Sequence, residues 1–469
     1  MKKTIINRIE KAGNNSELAH NKYFNELREK EYSRLSEQQH TYLDYTGGNL
    51  YGESQIKAHF DLLRKNTFGN PHSTNPTSQR STLLVDEARK AVLDFFNAED
   101  YYCVFTQNAS GALQIIGECY PFEKEGALLL LADNHNSVNG IRQYCLNKKG
   151  LYKYVPIQYE DLMIDSNSLD FCLNEFPEKT NKLFAFPAQS NVTGVKHDLQ
   201  WIKKAQDKGW DVLLDAAAFV PTTTLDLSAV KPDFVSVSFY KIFGYPTGVG
   251  CLLVKKSKFN KLVKPWFAGG TVTLVAVKTP HYYLAENHER FENGTVNYLD
   301  IPAVKTGIDY IKSIGMNRIN ERVHSLIAYL IKSLKAIKHN SGSSVVKVFG
   351  PLDRKATGGN TMMNFFDSNE KHFSFEDIEE SANKQNISIR SGCFCNPGID
   401  EVNSCLTYEE LAKYFSSRDK GDYHDMVSFL HKMRGATRVS VGIATTKADL
   451  DTFINFVKAL RNKTVEDEI

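Results

Sequence analysis

The feature that most restricts the fold is a series of short, continuous apolar runs separated by helical patterns. YYCVFT (101–106), ALLLLAD (127–133), YKYVPIQ (152–158), LFAFPAQ (183–189), DVLLDAA (211–217), FVSVSF (234–239) and GVGCLLVKK (248–256) are each of strand length. Between them lie helix-like segments such as SQRSTLLVDEARKAVLDFF (78–96), with Leu84, Ala88, Ala91, Val92, Phe95 and Phe96 on one face, and DLQWIKKAQDKG (198–209). Strands buried on both faces read this way. The expected architecture is therefore α/β: a mainly parallel seven-stranded sheet with helices on both faces.

From about residue 300 the pattern changes. Helical stretches over 301–338, strand-like VVKVFG (345–350) and TMMNFF (361–366), and a last amphipathic helix through Leu450, Phe453, Ile454, Val457 and Leu460 predict a smaller α+β domain. The expected division is a polar, helical N-terminal arm (1–40), a large domain (41–300) and a small C-terminal domain (301–469). A length of 469 residues is enough for two sizeable cores.

A formal net charge of +2 with 24% charged residues gives no electrostatic case for nucleic acid or an anionic membrane as partner. No stretch has the apolar length of a membrane span or the core of a signal peptide, so a cytoplasmic protein is expected. Of eight cysteines, six are scattered, and only Cys393 and Cys395 in RSGCFCNPG stand together. No second Cys or His pair completes a tetrahedral site, so no metal is expected.

Ligand sites of such sheets lie at the carboxyl ends of the strands. There the sequence puts QNASG, NHNS, SNVTG, Asp215, and Tyr240 with Lys241. Lys241 sits in SVSFYKIFGYPTGVG (236–250), between a strand-like run and a Gly/Pro/Thr-containing turn. An uncharged lysine there can condense with an aldehyde cofactor, and pyridoxal phosphate is the candidate. Asn108-Ala109-Ser110-Gly111, just before helical ALQIIGECY, suits its phosphate. Asp215 suits its pyridine nitrogen. The Gly- and Thr-containing turn after Lys241 is expected to let the backbone approach the bound ring and phosphate. Each feature alone has an ordinary explanation: a capped turn, an N-cap, a lysine that snorkels to solvent. Their succession along one sheet is more specific.

The blocks TYLDYTGGNLYGESQI, NTFGNPHS, FPAQSNVTGVKHDLQWI, LLDAAAFV, SFYKIFGYPTGVGCLLV, FENGTVNYLDIPA and IRSGCFCNPG resemble the class V, fold-type I pyridoxal-phosphate enzymes. Within these they are similar to the cysteine desulfurases, and in particular to the N-terminal desulfurase region of the molybdenum cofactor sulfurases. The resemblance runs from about residue 40 to about 460. It implies that Lys241 carries the cofactor, Asp215 pairs with its ring nitrogen, and Ala109, Ser110 and Ser238 lie around its phosphate. His135 would stack on the ring and move protons, Asn191 would lie beside the ring's phenolic oxygen, and Tyr240 stands where many relatives have histidine. Thr295 would reach the neighbouring subunit's phosphate, implying a homodimer. Arg438, assisted by Arg390, would clamp the carboxylate of L-cysteine or a related amino acid. Cys395 would accept its sulfur as a persulfide, leaving L-alanine, with Lys241 as the base that removes the α-proton. The second domain of full-length cofactor sulfurases is expected to be absent, which leaves the sulfur acceptor unidentified. A rival reading keeps the cofactor but makes the protein a class V aminotransferase, lyase or epimerase in which the cysteines are bystanders.

Overall fold

The computed structural model describes residues 21–123, 126–264, 268–351, 356–432 and 434–467. Its centre is a seven-stranded sheet of β1 (Tyr101–Thr106), β2 (Gly126–Leu131), β3 (Leu151–Val155), β4 (Asn181–Pro187), β5 (Asp211–Asp215), β6 (Phe234–Ser238) and β7 (Gly250–Lys255), in the order β1-β7-β6-β5-β4-β2-β3. Strands β2 to β6 pair in parallel, and β7 runs antiparallel to both β6 and β1. The seven predicted strands are these seven, in a sheet that is mainly parallel.

The continuous apolar runs follow from burial on both faces. Leu129, Phe184, Leu214 and Val237 point into one core, beside Ala88 and Val92 of helix α1 (Pro76–Phe95). Leu128, Leu130, Ala185 and Leu213 point into the other, against Ala112, Leu113 and Ile116 of helix α2 (Ala109–Cys119). At roughly 2 kcal/mol per fully buried aliphatic side chain, these two layers hold the strand ends in fixed register.

Beyond residue 300 come helices α3 (Ile301–Ile314) and α4 (Met316–Lys335), then a four-stranded antiparallel sheet of β8 (Val346–Val348), β9 (Asn360–Phe365), β10 (Arg390–Gly392) and β11 (Ala436–Ser440), in the order β8-β9-β11-β10. Helix α5 (Pro397–Asn403) follows the cysteine loop, and α6 (Lys447–Ala459) is the predicted last helix.

The N-terminal arm is helical at 21–31 and at Ser33–Glu37, while residues 1–20 lie outside the described residues. It packs on the C-terminal elements. Arg28 makes a buried two-point pair with Asp449 (3.0 and 3.2 Å). Thr41 and Tyr42 pair in parallel with Ile387 and Ser388, and Asp44 bridges to Ser440 of β11.

Candidate active site

Strand β6 ends at Ser238, and a single turn of helix, Tyr240–Phe243, then presents Lys241. Residues near position 50 satisfy the turn's open carbonyls. Asn49 donates to the carbonyls of Tyr240 (backbone N–H, 3.2 Å) and Ile242 (Nδ2, 2.7 Å), and Gln55 donates to that of Phe243 (3.1 Å). Gly244 ends the turn in the left-handed region (φ 81°), with the backbone of Leu50 and Tyr51 packed where its Cβ would stand. That glycine therefore answers to the close approach of the 50–51 segment. Burial pushes the Lys241 amine below its ordinary value. The Asp215 carboxylate pulls the other way, and Arg438 and Arg390 add to the lowering. Among the described residues its Nζ has no hydrogen-bond or ion-pair partner.

Lys241 faces a cavity lined by Asn108, Ala109, Ser110, His135, Asn191, Asp215, Ser238 and Tyr240, with Ala217 and Ala218 completing the wall. Every cofactor position named from the sequence is here except Thr295. That residue lies in an adjoining cavity which shares Asn108.

At one end is the N-terminus of α2. Asn108 caps it, accepting from the Gly111 N–H (3.0 Å), and Ser238 Oγ accepts from the Ala109 N–H (2.9 Å). Ser110 Oγ lies 2.6 Å from Ser137 Oγ. Gly250 permits this approach, because a Cβ there would stand 2.7 Å from Asn108 Cα. At the other end, Asp215 Oδ1 accepts from the Ala217 N–H and the Ser236 hydroxyl, both at 3.1 Å, while Oδ2 makes no hydrogen bond among the described residues. His135 Nδ1 accepts from the Ser137 N–H (3.1 Å), so the neutral ring carries its proton on Nε2. Burial lowers its pKa, against the pull of Asp215.

The Cys395 loop is tied to the strand ends. Asn136 N–H donates to the Cys395 carbonyl (2.7 Å), and Asn191 Nδ2 donates to the Phe394 carbonyl (2.8 Å). Asn396 Nδ2 donates to Asp133 Oδ1 (2.7 Å) and Asn191 Oδ1 (3.1 Å). Asp133 is itself fixed by Ser190 (2.8 Å) and His197 (3.1 Å). These bonds hold Phe394 (φ 55°) and Cys395 (φ 54°) in left-handed conformations that side-chain-bearing residues disfavour. The Asn191 amide is thus engaged by the loop, although the residue also lines the cavity. The two neighbouring thiols differ: Cys395 is exposed, while burial and Asp400 push the half-buried Cys393 up to about 12.

Arg390 and Arg438 stand directly opposite each other on β10 and β11. Between them lies a residue the sequence analysis gave no role. Asp44 Oδ2 accepts from Arg390 Nε (2.8 Å) and Nη2 (2.6 Å), and Oδ1 accepts from Arg438 Nη2 (2.7 Å). Arg438 Nη1 donates to the Asn191 carbonyl (2.7 Å). The only local sign of Asp44 was an acid inside the aromatic stretch TYLDY.

A helix N-terminus, a carboxylate oxygen and an amine that both lack partners among the described residues, the amine with its charged form disfavoured by burial, stand on three walls of one cavity and fit a phosphorylated pyridine aldehyde. The aminotransferase class-V profile matches residues 41–453. The chain belongs to the aminotransferase class-V family. Among curated members it is 35% identical over 453 residues to molybdenum cofactor sulfurase 3 of Aedes aegypti, covering 92% of this chain and 57% of that protein. It is 32% identical over 456 residues to the human molybdenum cofactor sulfurase, covering 92% and 51%. The chain thus spans about half the length of the curated relatives it matches. Among solved structures, the apo cysteine desulfurase of Thermococcus onnurineus NA1 superposes with a TM-score of 0.76 at 24% identity, over 93% of this chain and 97% of that one. A variant with glycine covalently linked to its PLP cofactor superposes with 0.70 at 16% identity, over 92% and 99%. These structures share this chain's fold, the fold-type I architecture.

Proposed function

We propose that this protein is a pyridoxal-phosphate-dependent cysteine desulfurase of the molybdenum cofactor sulfurase type, which converts L-cysteine to L-alanine and leaves the sulfur on Cys395. The observation that carries the reading is the Lys241 amine, without a partner among the described residues and with its charged form disfavoured by burial, in the same cavity as the open Asp215 Oδ2 and the capped start of α2. Lys241 would hold the cofactor through Nζ, Asp215 through Oδ2 at the ring nitrogen, and Ala109, Ser110 and Ser238 around the phosphate. Bound there, the cofactor supplies an electron sink that loosens the substrate's Cα–H and C–S bonds. Arg438 receives the α-carboxylate, as a fixed guanidinium does well. Lys241 Nζ, once free and uncharged, takes the α-proton, and His135 Nε2 holds a proton at the edge of the site. Cys395 Sγ takes the sulfur, because Cys393 is held as a thiol by its surroundings.

The same reading has two copies of the chain sharing sites, with Thr295 serving the neighbour's phosphate, and divides the chain near residue 300 with the arm riding on the smaller part. The test is incubation of the pyridoxal-phosphate-loaded protein with isotopically labelled cysteine, followed by peptide mass spectrometry and alanine assay. Label on Cys395, lost in Cys395→Ser and kept in Cys393→Ser, is expected. Undiminished alanine formation by Cys395→Ser, with reductant present, would instead favour a reaction in which the cysteines take no part.

A further inference from the structure

Two guanidinium groups directly opposite each other on an antiparallel pair repel, so β10 and β11 need a counter-ion at Arg390 and Arg438. Asp44 is that ion, and the surrounding backbone fixes it. Ser440 N–H donates to the Leu43 carbonyl (2.8 Å), Thr46 N–H donates to Ser440 Oγ (2.9 Å), and a Cβ on Gly47 would collide with the Asp44 carboxylate. Arg438 is 3% exposed and Asp44 7%, so solvent screens their charges poorly. Two guanidinium charges less one carboxylate leave one positive charge. Arg438 keeps a buried Nε–H with no acceptor among the described residues, and its charge is felt at Lys241 and His135 in the cavity.

We propose that Asp44 sets the charge selectivity of the amino-acid pocket, cancelling one arginine so that the site favours amino acids whose only net anionic group is the α-carboxylate over those with a second acid in the side chain. This rests on the reading above only in taking Arg438 as the group that receives the α-carboxylate. Asp44 is a positioning and charge-setting residue, since it acts through the two arginines.

The probes are labelled L-alanine and L-aspartate, measured by equilibrium dialysis against the pyridoxal-phosphate-loaded protein, with the visible band recorded on the same samples. Asp44→Asn raises the aspartate-to-alanine affinity ratio about tenfold, the effect of one unscreened charge at pocket distances. Arg390→Gln moves the ratio the opposite way by a smaller factor, because the Arg390 guanidinium is half-exposed and solvent screens it, and this keeps the proposal testable if Asp44→Asn folds poorly. The double variant moves the ratio back from that of Asp44→Asn toward that of the native protein. A purely structural Asp44 would weaken both amino acids together and make the double variant worse than either single one, and that result, or an unchanged ratio, overturns the proposal. A native preparation that never takes up the cofactor overturns the pyridoxal reading instead, and the same dialysis run on the unloaded protein and its variants then decides the charge argument.

Discussion

Asn396→Ala should free the Cys395 loop without unfolding the molecule. Asn396 is 1% exposed, and its Nδ2 donates to the Asp133 carboxylate at 2.7 Å, a charged acceptor. A bond of that kind contributes about 1.5–3 kcal/mol. Its Oδ1 also caps α5 through the Ile399 N–H, but at 3.4 Å that bond is weak. The variant leaves Asp133 with Ser190 and His197, so no carboxylate is stranded in the core and the loss falls on the loop. A loss of about 2–3 kcal/mol in closing free energy multiplies the open population roughly 30- to 150-fold. The reporter is the Asn136 amide, whose acceptor is the Cys395 carbonyl. In native-state hydrogen exchange, Asn136 should speed up by that factor while Leu129, in the middle of β2, keeps its rate. Equal acceleration of both amides would mean that Asn396 holds up the whole fold. No change at Asn136 would mean that the hydrogen bond to Asp133 does not hold the loop.

Two further expectations follow from packing and charge. Gly307 lies inside α3, and an added Cβ would enter the Phe243 ring beside the lysine turn. Gly307→Ala should gain about 1 kcal/mol of helix propensity and lose about 1–3 kcal/mol to overpacking. A net drop in the urea midpoint is therefore expected, and a rise would refute the stated contact. His288 is pushed down to about 4 by burial and by the Arg89 guanidinium, whereas the unfolded chain titrates near 6.5. Between those values the unfolded state binds more protons, so stability is complete above about 6.5 and falls as pH drops toward 4. The ring is partly exposed, which reduces the effect to about 1–2 kcal/mol. His288→Asn should flatten the pH dependence of the urea midpoint across that window, and an unchanged slope would assign it elsewhere.

How far the site could be read from sequence depends on which forces position each group. The seven central strands were legible because burial on both faces writes a continuous apolar run into the chain. The topology then assigns Lys241, Asp215, His135 and Ser110 to strand ends without further information. Strands β10 and β11 carry no such signature: RSG and ATRVS are short, contain arginines, and are strands only because β11 pairs with β9 and β10 pairs with β11. Register decides that Arg390 faces Arg438, and register across more than forty residues of loop and helix is not a local property. Asp44 is further away still, joined to them through a bridge to Ser440. Asn191 marks the boundary between the two kinds of knowledge. Its position at the end of β4 is topological and was foreseen. The partners of its amide, Phe394 and Asn396, come from the distant loop. A side chain that both donates and accepts takes whichever partners the tertiary fold brings within reach, and its residue type alone does not say which.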